Sequence, residues 1–248
     1  MGLQNGGLPG REVGKVPHYE LPSKNEKNKT SQTCLIFFIP GNPGLVGYYE
    51  PFLDTLRSLL DEAEARGGNT KLYHIYSQNL LGFDDADHPR PFSAAATSSS
   101  SSSSQQPPYS LEEQISHLCS RLADLNSPVP YDKVVLMGHS VGAYMAVEVF
   151  HRYHISPFPQ LNLHSAVLLF PTVTHIARSP NGRRLSRLRN TTAPLFDTLA
   201  HRVARAFLSF WPAYLLGCFL RVVWRMPSHA AAVTTRFLKS RDGIWQAL

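Results

Sequence analysis

Val134-Val135-Leu136-Met137-Gly138-His139-Ser140-Val141-Gly142, running on through Ala143 to His151, is the stretch that decides how this chain folds. Four apolar, strand-favouring residues lead into a G-x-S-x-G pentapeptide, and a helix-compatible segment leaves it. In that context Ser140 is expected on a strained strand-to-helix turn, its hydroxyl raised above the sheet as a nucleophile's would be. Gly138 and Gly142 let neighbouring backbone approach closely, and His139 is expected to support this elbow rather than to act as a base. The plainer alternative is a tight turn with a capping serine.

Working outward, the same strand-then-helix unit recurs. Cys34-Leu35-Ile36-Phe37-Phe38-Ile39 has no polar alternation, so it reads as a strand buried on both faces, halted by Pro40-Gly41-Asn42-Pro43-Gly44. Helical spacing of Phe52, Leu53, Leu56, Leu59 and Leu60 follows, with Pro51 tolerated in the first turn. Lys71 to Tyr76 reads as a strand, Leu111 to Leu125 as a helix opened by the N-cap Ser110, and Ala166 to Phe170 as a strand stopped by Pro171. Alternating strands and helices need right-handed crossovers, so the expected class is α/β: a mostly parallel sheet with helices on both faces. The core is assigned to 31–175. Residues 93–108, with seven consecutive serines at 98–104, are expected to be a disordered surface insertion. Residues 1–30, rich in Gly, Pro, Lys and Asn, are expected to be flexible and carry no apolar signal-peptide core.

A serine nucleophile needs donors for a developing oxyanion, and backbone N–H groups supply them without reorganising. Val141, directly after Ser140, is one expected donor. The second is expected from the loop after an earlier strand, where Pro43 has no N–H; Gly41 or Asn42 must donate, and Asn42 is preferred as the residue following Pro-Gly. An ordinary strand-ending loop is the alternative there. For the acid and base, Asp197 followed by His229 has the right chain order, but both lie in a basic, helical-looking region where a surface or cap role fits better.

That region has its own character. Of the 248 residues 43% are apolar and 17% charged, enough to bury a sizeable core. Residues 1–170 carry 12 Lys+Arg against 16 Asp+Glu, whereas 171–248 carry 12 against 2, a net +10. No RNA-binding signature or zinc-finger spacing accompanies the excess, so an anionic membrane surface is the expected partner and nucleic acid is not. Ala206 to Leu220 is free of charge and holds Phe207, Phe210, Trp211, Tyr214, Leu215 and Phe219 as expected lipid contacts, flanked by Arg202, Arg205, Arg221 and Arg225. Fifteen residues are short of the roughly 20 a spanning helix needs, which leaves an interfacial helix or hairpin or a buried cap helix pair over the site. Residues 176–248 are assigned to this helical cap or lipid-associating region. The three cysteines, Cys34, Cys119 and Cys218, have no CxxC or His spacing. A reducing, cytosol-facing setting fits them. No Walker A or G-x-G-x-x-G occurs, and neither a metal nor a cofactor is expected.

The chain resembles the lipid droplet-associated hydrolases. The resemblance is carried by Phe38 to Gly44 with Tyr48-Tyr49-Glu50 behind it, Tyr109 to Leu118 with its Gln114-Ile115-Ser116-His117, Gly138 to Tyr144, and Leu168-Leu169-Phe170-Pro171-Thr172 followed by Ser179-Pro180-Asn181-Gly182. It implies an α/β-hydrolase fold, association with lipid droplets and the cytosolic face of the endoplasmic reticulum, and a serine hydrolase acting on lipid esters of the sterol ester or acylglycerol type, with Ser140 in the nucleophile's place. A non-catalytic lipid droplet surface protein on the same scaffold is the alternative, and an acyltransferase shares the acyl-enzyme chemistry. The family's acid and histidine lie on two late strands. The chain ends at Trp245-Gln246-Ala247-Leu248, inside a helical pattern, and is expected to be truncated before both.

Overall fold

A computed structural model describes residues 18–24, 31–68, 70–85, 108–127, 129–157, 161–174, 178, 180, 182–184, 186–187, 203 and 205–247. Strands β1 (His18–Leu21), β2 (Gln32–Ile39), β3 (Lys71–Gln78), β4 (Lys133–His139) and β5 (Leu163–Leu169) form one sheet in the order β1-β3-β2-β4-β5. All neighbours run parallel except β1, which pairs with β3 antiparallel. Helices α1 (Glu50–Arg66), α2 (Leu111–Leu125) and α3 (Val141–Ile155) are the crossovers. A 3-10 turn, Val46–Tyr48, precedes α1, and α4 (Ala213–Val222), α5 (Ser228–Lys239) and α6 (Gly243–Ala247) close the chain.

The unbroken apolar run of β2 has a simple explanation, since successive strand residues point to opposite faces. Leu35, Phe37 and Ile39 join the core with Ile115, Leu118, Leu122, Met145 and Val149 of α2 and α3. Ile36 and Phe38 join Leu53 and Ile75 on the α1 side. Both sets are buried, so β2 has no solvent face on which to place a polar residue.

The order of strands positions the site. From β2 the chain crosses to β3 on one side, while β4 continues to β5 on the other, so the direction of winding reverses between adjacent β2 and β4. Open parallel sheets bind ligands outside the carboxyl ends of the strands at such a reversal. The Pro40–Gly44 loop leaves β2 there, and Ser140 leaves β4 there.

Two expectations change. His18–Leu21 lies in the stretch read as flexible, yet it pairs in register with Gln78 to Ile75, Tyr19 Oη donating to Asp54 at 2.6 Å. The segment is too short and too polar to be legible as a strand on its own. The last strand begins at Leu163, three residues before the apolar run that announces it, because Asn162, His164 and Ser165 are polar. Residues 1–17 and 25–30, and all but Pro108 of the serine-rich 93–108, lie outside the described residues.

Helix α2 starts where Ser110 predicts. Its hydroxyl accepts from the Glu113 N–H while the Glu113 carboxylate accepts from the Ser110 N–H at 2.7 Å, a reciprocal capping box. Ser110→Ala is expected to cost about 1 kcal/mol, seen as a lower urea midpoint with an unchanged slope.

Candidate active site

Ser140 occupies the junction of β4 and α3 with φ 55° and ψ −120°. A non-glycine residue there stores strain of about 1–3 kcal/mol and is kept only when its surroundings over-determine it. The surroundings are specific. Ser140 N–H donates to Leu169 O at 3.0 Å, and Ser140 O accepts from the Ala143 N–H at 3.1 Å and the Thr172 N–H at 3.3 Å. The two flanking glycines make the turn possible by having no side chain. A Cβ on Gly138 would lie 2.3 Å from Gly142 O, and one on Gly142 would lie 2.3 Å from Ile39 O and 2.5 Å from Pro40 O. The β4–α3 turn is therefore pressed backbone-to-backbone against the end of β2.

The same compression brings the Pro40–Gly44 loop to Ser140: a Cβ on Gly41 would lie 3.0 Å from Ser140 Cβ and 2.9 Å from His139 Nδ1. One side chain joins the two segments. Tyr49 Oη, at the start of α1, accepts the Gly41 N–H at 3.0 Å and is bonded to His139 Nδ1 at 2.9 Å. Burial pushes the Tyr49 phenol above its usual pKa, the Gly41 N–H acting in the opposite sense, so the hydroxyl stays protonated. With the Gly41 N–H taken, the exposed Asn42 is left with a backbone N–H that no backbone acceptor among the described residues takes. The N–H of Val141, first residue of α3, has no intrahelical acceptor and carries the positive end of the helix dipole. Tyr49 was not among the site residues read from the sequence. It entered only as part of the Tyr48-Tyr49-Glu50 match to the family, because its role depends on the approach of His139 from 90 residues further along the chain.

Phe170 forms the apolar border of this site. It is 82% exposed, holds φ 46°, and meets the His139 ring edge-on with centroids 6.0 Å apart. On the opposite side α5 and α6 wall the loop: Tyr48 Oη bonds Thr234 Oγ1 at 2.9 Å, and Asn42 Nδ2 donates to Ala247 O at 3.3 Å.

No side chain among the described residues hydrogen-bonds the Ser140 hydroxyl. His229 is placed elsewhere, with Nε2 on Gly47 O at 2.5 Å and 3.8 Å from Glu50 Oε2. Asp242 is buried and accepts from Arg241 Nε at 2.7 Å. Asp197 and His201 lie outside the described residues.

A profile of the lipid-droplet associated hydrolase family matches residues 32–248. The chain belongs to this family. It is 32% identical to the mouse lipid droplet-associated hydrolase over 179 residues, which is 72% of this chain and 49% of that protein. It is 36% identical to the human one over 150 residues, 60% of this chain and 41% of that protein. The fruit-fly relative, Drosophila melanogaster, is 28% identical over 182 residues, 73% and 51% of the two chains. The chain thus spans about half the length of the curated relatives it matches. Among solved structures it is similar to juvenile hormone epoxide hydrolase from the silkworm Bombyx mori (TM-score 0.47, 14% identity, 94% of this chain and 58% of that one). It is also similar to a carboxylesterase of Nitrososphaera gargenis (TM-score 0.45, 13% identity, 95% and 72%). The fold class is α/β, with the mostly parallel sheet and flanking helices described above.

The basic C-terminal region of this lipid droplet-associated hydrolase family member resolves into short helices. Residues 205–209 are helical, Phe210 to Pro212 break the run, and α4 turns back through Trp224 to Pro227 into α5. Leu216 and Leu220 are buried against Ala231, whereas Phe207, Phe210, Tyr214, Leu215 and Phe219 are exposed. Trp211 departs from the expected lipid contacts: it packs inward on the Leu216–Leu220 cluster, its ring 5.7 Å from Phe219. Val222, Val223 and Trp224 extend the exposed face instead. Arg221 ended the charge-free run and so hid them from a reading by charge, although helical spacing from Leu215 and Phe219 reaches Val222. Among the described residues no helix is long and apolar enough to cross a membrane.

Proposed function

We propose that this protein is a serine hydrolase of lipid esters, of the sterol ester or acylglycerol type, acting through an acyl-enzyme on Ser140 at the surface of lipid droplets or the cytosolic face of the endoplasmic reticulum. The observation that carries the reading is the strained backbone of Ser140 at the topological reversal, held against a loop whose Asn42 N–H is left over. Nothing in a structural turn requires that strain. Ser140 Oγ attacks the ester carbonyl carbon and its proton passes to a base, a role that no side chain among the described residues fills by a hydrogen bond to the Ser140 hydroxyl. The Val141 and Asn42 N–H groups hold the negative oxygen, and the C–O bond breaks to release the alcohol, which takes the proton. Water then releases the fatty acid from the serine ester. Exposed Phe170 offers an apolar contact to the acyl chain, and the aromatic face of α4 keeps the site at the lipid surface while arginines stay with headgroups. The relatives' names support the lipid-droplet part of the location, and the family supports hydrolysis.

Incubation with a short-chain nitrophenyl ester tests this, read as a serine-bound acyl group by intact mass and peptide mapping. The acyl group is expected on Ser140; its absence there under conditions that acylate other esterases contradicts the proposal. Tyr49 acts as a positioning residue in this scheme. Tyr49→Phe removes the bond to His139 and leaves the Gly41 N–H without its acceptor, and it is expected to slow acylation about tenfold, because small displacements of the oxyanion donors cost rate steeply. KM for the same ester should stay within about twofold, a split that a general loss of folding would not produce.

A further inference from the structure

Between α4 and α5, away from Ser140, lies an open-mouthed cavity of about 460 Å³ that the proposed hydrolase chemistry does not use. Small residues make the space: Ala213 and Gly217 on α4, Ala231 and Ala232 on α5. Three cations line it. Lys239 is committed, its ammonium donating to the carbonyls of Leu208 and Trp211 and so tying the 205–209 turn to α5. Arg221 and Arg236 are not: among the described residues neither makes a hydrogen bond or an ion pair. In residues 171–248 the only acids are Asp197 and Asp242, and Asp242 is bonded to Arg241. The protein thus builds a mostly apolar recess lined by two arginines without an ion pair among the described residues, the Arg236 guanidinium reaching to its rim toward Gly47. It opens beside the exposed aromatic face, since Tyr214 belongs to both.

We infer that this α4–α5 cavity binds the phosphate headgroup of an anionic phospholipid. A solvated basic face accounts for arginines on a convex surface, but here they share a concave one whose remaining lining is mostly apolar. Guanidinium forks match phosphate oxygens in paired hydrogen bonds. The glycerol and first acyl carbons fit against Ala213, Gly217 and Ala231, with the tails running on along Tyr214 into the lipid layer. The site would seat the protein in one orientation on the monolayer. This inference rests on the lipid-surface part of the proposed function and is independent of Ser140 chemistry.

The test is vesicle flotation of the full chain with phosphatidylcholine alone and with phosphatidylserine added, for wild type and three variants. Arg221→Gln with Arg236→Gln is expected to lower affinity for the anionic vesicles about 30-fold and to leave affinity for neutral ones unchanged. Arg183→Gln with Arg184→Gln removes the same charge elsewhere and is expected to lower it only about threefold. Gly217→Leu keeps every charge; a Cβ there meets only Thr235 Oγ1 at 3.4 Å, so the backbone tolerates it while the side chain fills the cavity. It should match the double arginine variant. Equal losses for the two arginine pairs, or full anionic binding by Gly217→Leu, would overturn the site in favour of diffuse attraction. Competition by inorganic phosphate as effective as that by dihexanoyl phosphatidic acid would overturn the lipid as ligand. Equal binding to neutral and anionic vesicles defeats this inference alone, whereas no binding to any vesicle or to isolated droplets defeats the lipid-surface reading with it.

Discussion

Ser140→Ala is expected to abolish acyl-enzyme formation and to lower any ester hydrolysis the protein sustains by about 10³ or more, because the residual oxyanion site has no nucleophile to serve. A matched variant separates chemistry from folding. Ser140→Gly is equally dead, but glycine reaches φ 55° without the Cβ penalty, so about 1 kcal/mol of stability should be gained after its extra unfolded-state entropy is counted. Chemical denaturation beside the activity assay checks both. Loss of activity together with a large loss of stability in Ser140→Gly would mean that the serine serves the fold.

Gly142→Val is expected to be the most damaging single change to the fold. Its Cβ would stand 2.3 Å from Ile39 O and 2.5 Å from Pro40 O, atoms of backbone that cannot rotate away. Relief requires pulling α3 from the end of β2, which opens the cluster containing Ile39, Met145, Ala146 and Val149. A loss of about 4 kcal/mol or more follows from overpacking of this kind, enough to leave a marginally stable domain largely unfolded. Ala143→Gly, one residue along the same helix, removes a buried methyl without a clash and should cost only about 1–2 kcal/mol. Far-UV circular dichroism during a thermal ramp distinguishes them.

The parts legible in the sequence are those where one local pattern decides the outcome. Cys34 to Ile39 has to be buried on both faces because it has no polar residue to spare, and Ser110 announces the helix start that Glu113 completes in the structure. Gly138, Ser140 and Gly142 were readable because the backbone compression they permit needs those residue types at that spacing. Tyr49 was not, since its hydroxyl gains meaning only when Gly41 and His139 arrive beside it from β2 and β4. The α4 face was half legible. Absence of charge marked it, but the inward turn of Trp211 and the outward turn of Val222 to Trp224 follow from helix phase and from the break at Pro212. The edge strand β1 depends wholly on β3 as a template, and β5 shows how little an apolar run reveals about cover: Val167 and Leu168 are more than a third exposed on the open edge of the described sheet.

His229, the late histidine in the right chain order, is bound to Gly47 O, so His229→Ala should leave the reactivity of Ser140 within about twofold of wild type. The measurement that bears most directly on the central claim is covalent labelling by a fluorophosphonate, followed by peptide mapping of the modified site. The account predicts a single phosphonyl adduct on Ser140 of the folded protein, slowed in Tyr49→Phe and absent in Ser140→Ala. An unmodified Ser140, or labelling that survives Ser140→Ala undiminished, would contradict it.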